Sequence, residues 1–238
     1  MKIPEIKGFV DLSLVDWEGK VSAVVFLPNC NFRCPFCYNV QLVLHPEKMQ
    51  TIPFEEIEQY LKENRGWIDA VAITGGEPTL HEELPTLCQR IKDLGLKVKL
   101  DTNGTNPDMI GTLIKQGLVD YIALDIKAPV TKEEYAKATG VRAEEFLEKV
   151  KKTIETLLKG EVSYEFRTTL APTIHEPKHI EQLCQRIKGC KKYVLQNFKT
   201  NVETINPELK TQKPFTQEQM QVFRDAASKI VPNTFLRE

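Results

Sequence analysis

The chain has 238 residues, 41% of them hydrophobic and 27% charged, an ordinary composition for a water-soluble protein. Its 32 basic residues nearly balance its 33 acidic residues, so there is no excess positive charge for general nucleic-acid binding. No stretch approaches the roughly 20 apolar residues that cross a bilayer, and residues 1–20 lack the apolar segment of a signal peptide. We therefore expect a cytoplasmic protein without membrane partners.

Short strand-like runs alternate with amphipathic helical segments from residue 21 onwards. The predicted strands are 21–28, 69–74, 97–102, 119–126, 162–170 and 192–198. The predicted helices are near 54–64, 80–94, 107–116, 142–159, 177–187 and 216–230. Helix starts are indicated by Asn106 before Pro107, and by capping-box spacing in Thr79/Glu82, Thr131/Glu134 and Thr216/Gln219.

Strands that alternate with helices are typical of parallel βαβ units with right-handed crossovers. The six predicted units are fewer than those of a closed eight-stranded barrel. The sequence therefore predicts an α/β fold, a partial (β/α)6 barrel of parallel strands with outer helices. No linker or repeat interrupts it, so we expect a single domain over 1–238, with 1–20 as a lead-in segment. The polar, proline-containing residues 199–214 are predicted to be a surface loop.

Three cysteines, Cys30, Cys34 and Cys37, follow the first predicted strand in C-x3-C-x2-C spacing. Ligands bind at the carboxyl ends of parallel strands. Clustered cysteines in a cytosolic protein indicate metal binding or catalysis rather than disulfide bonds. A structural zinc site normally has four protein ligands, whereas three cysteines on a cubane iron–sulfur cluster leave one iron open. A zinc-binding interaction module, with His45 or Cys88 as fourth ligand, is the alternative.

The spacing C-x3-C-x2-C with Phe36 before the last cysteine resembles the cluster motif of the radical S-adenosylmethionine (SAM) superfamily. The resemblance implies that the three cysteines are catalytic ligands of a [4Fe–4S] cluster whose open iron is chelated by the amino and carboxylate groups of SAM. It further implies reductive cleavage of SAM to a 5′-deoxyadenosyl radical, which abstracts a hydrogen atom from the substrate. Phe36 would pack near the adenine.

A Gly-Gly-Glu-Pro turn, made by Gly75, Gly76, Glu77 and Pro78, follows the second predicted strand. The glycines leave backbone polar groups open to a ligand, and Glu77 can take a positive charge. The turn is similar to the family's GGEP motif, which receives the methionyl ammonium of SAM. Without that resemblance it is a plausible strand-to-helix turn.

Polar and charged residues also end the next three predicted strands. The candidates are Asp101, Thr102 and Asn103, then Asp125 and Lys127, then Arg167. Burying a lone charge is expensive, so these charges are expected to be paired or used. The D-x-K pattern at Asp125 and Lys127 is similar to one in glycyl-radical activating enzymes, where it contacts SAM, and Arg167 matches a further SAM-contacting position. A local Asp125–Lys127 salt bridge and an edge position for Arg167 are the alternatives, and Gln196 is an additional candidate.

The remaining cysteines and histidines show no metal-binding spacing. Cys88 and Cys184 each lie on an apolar helical face and are predicted to be core residues. Surface or loop positions are expected for His45, His81, His175 and His179.

Over almost its whole length the chain resembles the activating proteins of anaerobic ribonucleoside-triphosphate reductases, particularly in the lead-in Ser13 to Lys20. This implies a protein substrate, a glycyl-radical enzyme, and an electron donor such as flavodoxin or ferredoxin. The sequence departs from that family at Tyr38, where histidine is usual, and at Glu18, where proline is usual. A radical SAM enzyme acting on a small molecule (a pterin or deazapurine precursor) or on RNA is the alternative.

Overall fold

The computed structural model describes residues 2–199 and 202–237. An eight-stranded sheet, whose strand order follows the chain, lies at its centre. Its strands are Gly8–Ser13 (β1), Ser22–Leu27 (β2), Ala70–Gly75 (β3), Lys97–Thr102 (β4), Tyr121–Asp125 (β5), Ser163–Leu170 (β6), Tyr193–Asn197 (β7) and Thr234–Arg237 (β8). β1 pairs antiparallel with β2, and each later strand pairs parallel with the one before it.

The helices connect successive strands. They are Val40–Leu44 (α1), Phe54–Glu63 (α2), Leu84–Asp93 (α3), Pro107–Lys115 (α4), Lys132–Thr139 (α5), Glu144–Leu158 (α6), Pro177–Arg186 (α7) and Gln217–Ser228 (α8). Short 3₁₀ helices occur at Pro46–Lys48, Pro78–Leu80 and Pro207–Thr211. Among the helices described, none has the length and apolar character to cross a membrane.

The predicted α/β architecture is confirmed. Each of the six predicted strands and six predicted helices has its counterpart, and the sheet is open, with β1 and β8 at its edges. Four elements lie outside the predicted ranges, namely β1, β8, α1 and α5, and of α5 only the start at Thr131 was indicated. β1 is an edge strand with exposed positions in its second half, β8 has only four residues and α1 only five, and α5 is mostly polar. Hydrophobic periodicity is weak in all four.

Three of the predicted helix starts are confirmed and one is wrong. Asn106 caps α4, and Thr216 with Gln219 forms a capping box on α8. Thr79 instead lies in a 3₁₀ turn, where its amide and hydroxyl both donate to the Glu77 carboxylate, and α3 begins only at Leu84. Thr131 is the N-cap residue of α5 as predicted, although its side chain makes no capping hydrogen bond.

The alternation of side chains along the strands separates the core from a charged inner face. On β4, Val98 and Leu100 belong to the hydrophobic core, whereas Lys99 and Asp101 point to the opposite face. The same face of β6 carries Glu165 and Arg167, and Arg167 reaches Asp101 across β5. The interior of the sheet is therefore polar close to its carboxyl edge.

The segment predicted as a surface loop packs on the cysteine loop. Two backbone amides, of Ile205 and Asn206, donate to the carbonyl oxygens of Cys37 and Pro35 at 3.3 and 2.9 Å. Leu209 is buried. The predicted surface position is confirmed for residues 210–214, which are exposed. The burial of Leu209 and the contacts with the cysteine loop were not predicted, because backbone hydrogen bonds from distant chain segments leave no periodic signal. Residues 200 and 201 of that prediction lie outside the described residues.

Candidate active site

A cavity opens at the carboxyl ends of β2 to β6, with about 780 Å³ of empty space that is partly open to solvent. The predicted residues that line it are Cys30, Cys34, Phe36, Cys37, Gly75, Gly76, Glu77, Asp101, Thr102, Asn103, Asp125 and Lys127. Pro78, Arg167 and Gln196 are not among the described residues that line it. The motifs, which are far apart in sequence, therefore converge because parallel strands end at one edge of the sheet.

The cysteine loop is held against its neighbours by backbone hydrogen bonds. The Glu77 amide donates to the Asn29 carbonyl at 2.7 Å, and the Arg33 amide donates to the Thr139 carbonyl at 2.8 Å. Burial raises the pKa of Cys30 to about 11 and that of Cys34 to about 12. Free thiols are therefore protonated here, and thiolates need a positively charged centre to stabilise them.

Gly76 permits the close contact between the cysteine loop and the Gly-Gly-Glu-Pro turn. A Cβ at this position would lie 1.8 Å from the carbonyl oxygen of Asn29. The sequence interpretation assigned the glycines to ligand access, and both Gly75 and Gly76 do line the cavity. The structure adds a packing reason, since any side chain at Gly76 would displace the loop that carries the cysteines.

Glu77 is a buried carboxylate with several donors. Its Oε1 accepts from the Thr79 amide, the Thr79 hydroxyl and the Thr102 hydroxyl at 3.1, 2.5 and 2.7 Å, and its Oε2 accepts from the Asn103 amide at 2.7 Å. Burial raises the pKa of Glu77 although these donors oppose it. The carboxylate thus ties the turn after β3 to the turn after β4.

An amide network connects the turn after β4 to the cysteine loop. Asn103 Nδ2 donates to Asn31 Oδ1 at 2.8 Å, and Asn31 Nδ2 donates to the Thr105 hydroxyl at 2.8 Å. Asn103 Nδ2 also lies 3.9 Å from the Cys30 sulfur. Asn39, which sequence reasoning missed, donates to the Gly75 carbonyl at 2.7 Å. These amides fix the position of the loop from both sides.

Five alternating charges form a chain under the cavity floor. Lys99 Nζ lies 2.7 Å from Asp101, Arg167 lies 3.1 Å from Asp101 and 2.9 Å from Asp125, and Lys127 Nζ lies 3.2 Å from Asp125. Burial opposes ionisation of Asp125, but Arg167 and Lys127 outweigh it and hold its pKa well below the usual range. This row of five charges has three cations and two anions. Lys127, at one end of the row, lines the cavity.

This row of charges argues against an edge position for Arg167 and adds Lys99 to the residues near the cavity. Arg167 is 8% exposed and lies between two carboxylates, so it is not an ordinary edge residue. The Asp125–Lys127 salt bridge exists and is part of a larger set. Lys99 was missed, because in KVKLDT it has the polar alternation of an ordinary strand. Lys99 is only 1% exposed, and the sequence alone does not indicate this burial.

The expectation that all four histidines are surface or loop residues is wrong for His179, which is buried in α7, and His175 is a loop residue as expected but a buried one. His175 is 4% exposed, and its ring accepts from the Ala171 amide at 3.0 Å and contacts the Lys127 carbonyl at 2.8 Å. His179 is 6% exposed and closes a capping box with Glu176. The His175 ring also packs edge-on against Phe36, with centroids 6.2 Å apart. His175 therefore packs behind two residues of the cavity wall, Phe36 and Lys127.

The donor set fits an iron–sulfur cluster better than a zinc ion. Cys88 is fully buried in the hydrophobic core, and His45 lies on the surface, 3.6 Å from Glu47. Within residues 2–199 and 202–237, no three His, Cys, Asp or Glu side chains are grouped around a single metal position. All three cysteines line the cavity, and a cubane cluster needs only three protein thiols, because its fourth iron can stay free for a small molecule.

Comparisons with known proteins agree with this chemistry. The family model of the radical SAM superfamily matches residues 24–187. A protein of Methanocaldococcus jannaschii, whose provisional name is glycyl-radical enzyme activating enzyme, is 34% identical over 98% of this chain and 95% of its own length. A 7-carboxy-7-deazaguanine synthase of Thermococcus kodakarensis is 30% identical over 51% of this chain and 53% of its own.

The crystal structure of Streptococcus suis SuiB bound to S-adenosylmethionine superposes with a TM-score of 0.67 at 15% identity. The match covers 90% of this chain, which spans about half of that protein, 52%. That likeness supports the fold. The family match identifies the cofactors, which are a [4Fe–4S] cluster and SAM. The cysteine motif, the cavity beneath it and the family match together show that this chain belongs to the radical SAM superfamily.

Proposed function

We propose that this radical SAM enzyme installs a glycyl radical on a partner enzyme such as an anaerobic ribonucleotide reductase. The observation that carries the proposal is the relative named as an activating enzyme, because it aligns over nearly the full length of both chains. The polar interior supports it. Lys99, Asp101, Asp125 and Arg167 pair with each other, so a substrate is recognised from the mouth of the cavity, as a glycine-bearing protein loop would be.

The residues of the cavity have distinct proposed roles. Cys30, Cys34 and Cys37 hold the cluster. When bound, the cluster supplies the electron that cleaves SAM to methionine and a 5′-deoxyadenosyl radical, which takes a hydrogen atom from a glycine Cα of the partner. Lys127 faces the cavity as a cation, since Asp125 outweighs the effect of burial and raises its pKa. It is therefore placed to attract the SAM carboxylate, with Asp125 as its anchor.

The other predicted ligands complete the proposed SAM site. Glu77 and the backbone at Gly75 and Gly76 line the cavity on the side of β3, where the methionyl ammonium would bind. Phe36 is 4% exposed and offers an apolar ring for the adenine. The polar side chains that end β4 adjoin it, namely Asp101, Thr102 and Asn103. Pro78 and Arg167 do not line the cavity and would support the site indirectly. Pro78 lies in the buried turn after Glu77, and Arg167 lies between two carboxylates.

The test is formation of a radical on a partner. The cluster-loaded protein would be mixed anaerobically with SAM, dithionite and the anaerobic ribonucleotide reductase of the same organism. We expect a glycine-centred doublet by electron paramagnetic resonance (EPR). The doublet should be absent with Cys34→Ala, and with a reductase whose radical glycine is replaced by alanine. No doublet with any glycyl-radical enzyme of that organism, despite an active SAM-cleaving protein, would contradict the proposal.

The electron donor and the compartment are further parts of the proposal. We infer a cytoplasmic protein, because six cysteines in the described chain are free and three of them line the cavity. A reduced flavodoxin or ferredoxin would then replace dithionite in the EPR assay and give the same doublet.

The second candidate is a small-molecule reaction. It is favoured by the similarity of half the chain to a deazaguanine synthase. Incubation with pterin and deazapurine precursors, followed by mass spectrometry, separates the two candidates, since turnover of either precursor without a partner protein would favour the second.

A further inference from the structure

The sulfur of Cys30 lies next to two N–H groups. The backbone amide of Phe32 donates to it at 3.3 Å. The side-chain amide nitrogen of Asn103, in the turn after β4, lies 3.9 Å from it in hydrogen-bond geometry. Cys30 and Asn103 both line the cavity, and Asn103 is 5% exposed. One proposed cluster ligand therefore has a donor from its own loop and a second donor from a distant turn.

The orientation of the Asn103 side chain is fixed by its contacts with Thr105. Its Oδ1 accepts from the Thr105 backbone amide at 3.0 Å and from the Thr105 hydroxyl at 2.7 Å. A backbone N–H can only donate, so the side-chain atom of Asn103 that faces it is the oxygen, and the nitrogen faces Cys30. The backbone amide of Asn103 donates to the buried Glu77 carboxylate at 2.7 Å, which holds the turn in place.

Three side chains close a ring of hydrogen bonds beside the Cys30 sulfur. Asn103 Nδ2 donates to Asn31 Oδ1 at 2.8 Å, and Asn31 Nδ2 donates to the Thr105 hydroxyl at 2.8 Å. The Thr105 hydroxyl completes the ring by donating to Asn103 Oδ1. Because each member both donates and accepts, neither amide can turn over without losing hydrogen bonds. An amide nitrogen carries two hydrogens, so Asn103 can serve Asn31 with one and the sulfur with the other.

We propose that the Asn103 side chain donates a hydrogen bond to the Cys30 sulfur when that sulfur is a cluster ligand, and so raises the reduction potential of the cluster. A neutral thiol is a weak acceptor, and the Cys30 thiol lies 4.0 Å from Asn31 Oδ1, to which it can donate its own proton. Ligation removes that proton and leaves a negatively charged sulfur, which is a strong acceptor. Since reduction adds negative charge, donors to a ligating sulfur stabilise the reduced form, and such hydrogen bonds are among the determinants of cluster potential.

The first test is a redox titration of the cluster-loaded full-length protein without SAM, monitored by EPR of the reduced cluster. Asn103→Leu removes the donor and should lower the equilibrium constant for reduction about tenfold, which is a potential about 59 mV more negative for one electron. The matched control is Thr105→Val, which breaks the same ring. Its backbone amide still holds the Asn103 oxygen, so the donor stays in place and the potential should be unchanged. An unchanged or higher potential in Asn103→Leu, or an equal fall in both variants, would overturn the proposal.

The second test does not depend on whether Asn103→Leu folds. The protein is labelled with ¹⁵N in its asparagine side chains, and the reduced cluster is studied by electron spin-echo envelope modulation. A hydrogen bond to a ligating sulfur should give a ¹⁵N coupling. This coupling should persist in Asn31→Asp, which lacks the neighbouring side-chain nitrogen but keeps an oxygen that accepts from Asn103. Absence of the coupling in the wild type, or its loss in Asn31→Asp, would contradict the proposal.

The inference rests on the proposed cluster ligands and not on the glycyl-radical reaction. A protein that takes up no iron would contradict both the ligand assignment and the inference. A normal cluster whose potential does not respond to Asn103→Leu would contradict the inference alone. A normal cluster with the expected potentials, but without a glycyl radical on any partner, would contradict only the proposed reaction.

Discussion

At the scale of single residues, the site depends on buried charges that balance each other. Lys99 contributes no atom to the cavity lining, yet its ammonium group lies 2.7 Å from Asp101, which does line it. Removing Lys99 leaves Asp101 with Arg167 alone. A hydrogen bond to a charged group contributes about 1.5–3 kcal/mol, so Lys99 is a positioning residue with a measurable share of stability.

Lys99→Met should therefore lower the free energy of unfolding by about 1.5–3 kcal/mol and weaken SAM binding, as Asp101 and Arg167 rearrange. Chemical denaturation and equilibrium binding of SAM to the cluster-loaded protein measure the two effects. Lys97 lies on the same strand but is exposed. Lys97→Met is thus the matched control and should change stability by about 0.5 kcal/mol or less. Equal unfolding free energies and equal SAM affinities of the two variants would contradict a role of the buried charges in stability and SAM binding.

His175 gives the protein a pH dependence whose direction follows from its burial. Burial lowers the pKa of His175 to about 4, from an ordinary value near 6.5. The unfolded chain therefore binds a proton that the folded protein does not bind between these values. Stability is complete above about pH 6.5 and falls as the pH drops towards 4.

We expect the wild type to lose about 2 kcal/mol more than His175→Gln when the pH falls from 7 to 5, because 1.5 units separate pH 5 from the ordinary pKa. Urea denaturation of the reduced, cluster-free proteins at several pH values gives this difference. Parallel pH profiles for the two proteins would contradict the assignment of His175 as a buried neutral residue.

At the scale of elements, α5 supports the cysteine loop through its last turn. Gly140, which ends α5, has a φ of +67°, and a Cβ there would lie 2.2 Å from the carbonyl oxygen of Arg33. Gly117, which follows α4, has the same φ of +67° with no atom within 4 Å of such a Cβ. The two glycines share the backbone requirement and differ only in what surrounds them.

Both Gly140→Ala and Gly117→Ala should therefore cost about 1–2 kcal/mol for the left-handed conformation. Only Gly140→Ala should also move the cysteine loop and lower the iron content after reconstitution. Iron analysis and the absorbance of the cluster check this. Full iron content in Gly140→Ala would show that the loop tolerates displacement from α5.

Elements with strong periodicity could be predicted from sequence, and those that depend on distant contacts could not. VSAVVFLP predicted β2 because a strand covered on both faces is continuously apolar. β1 and β8 lie at the sheet edges, where only one neighbour imposes a pattern. Residues that line the cavity could be predicted wherever a motif follows a strand, as at Glu77 and Asp125. Lys99 and His175 were missed, because their roles come from burial and from contacts that the fold alone creates.

At the scale of the whole molecule, the order of the strands explains why the motifs meet. β2 to β6 run parallel and in sequence order, so the turns after them adjoin along one edge and enclose the cavity.

The opposite end of the sheet interior is occupied by a second charged set, in which Arg237 on β8 pairs with Glu165 at 3.0 Å and Lys192 pairs with Glu18 at 2.6 Å. Glu18, one of the two departures from the activase pattern, thus pairs far from the cavity. Tyr38, the other departure, lines it and accepts from the Lys199 amide.

The most direct measurement is formation of 5′-deoxyadenosine from SAM by the anaerobically reconstituted, chemically reduced protein. We predict slow formation by the wild type and none by Cys34→Ala, because the proposed cluster needs all three cysteines of the loop. Absence of 5′-deoxyadenosine from a wild-type protein with an intact cluster and bound SAM, or equal formation by Cys34→Ala, would contradict the central claim that Cys30, Cys34 and Cys37 support radical SAM chemistry.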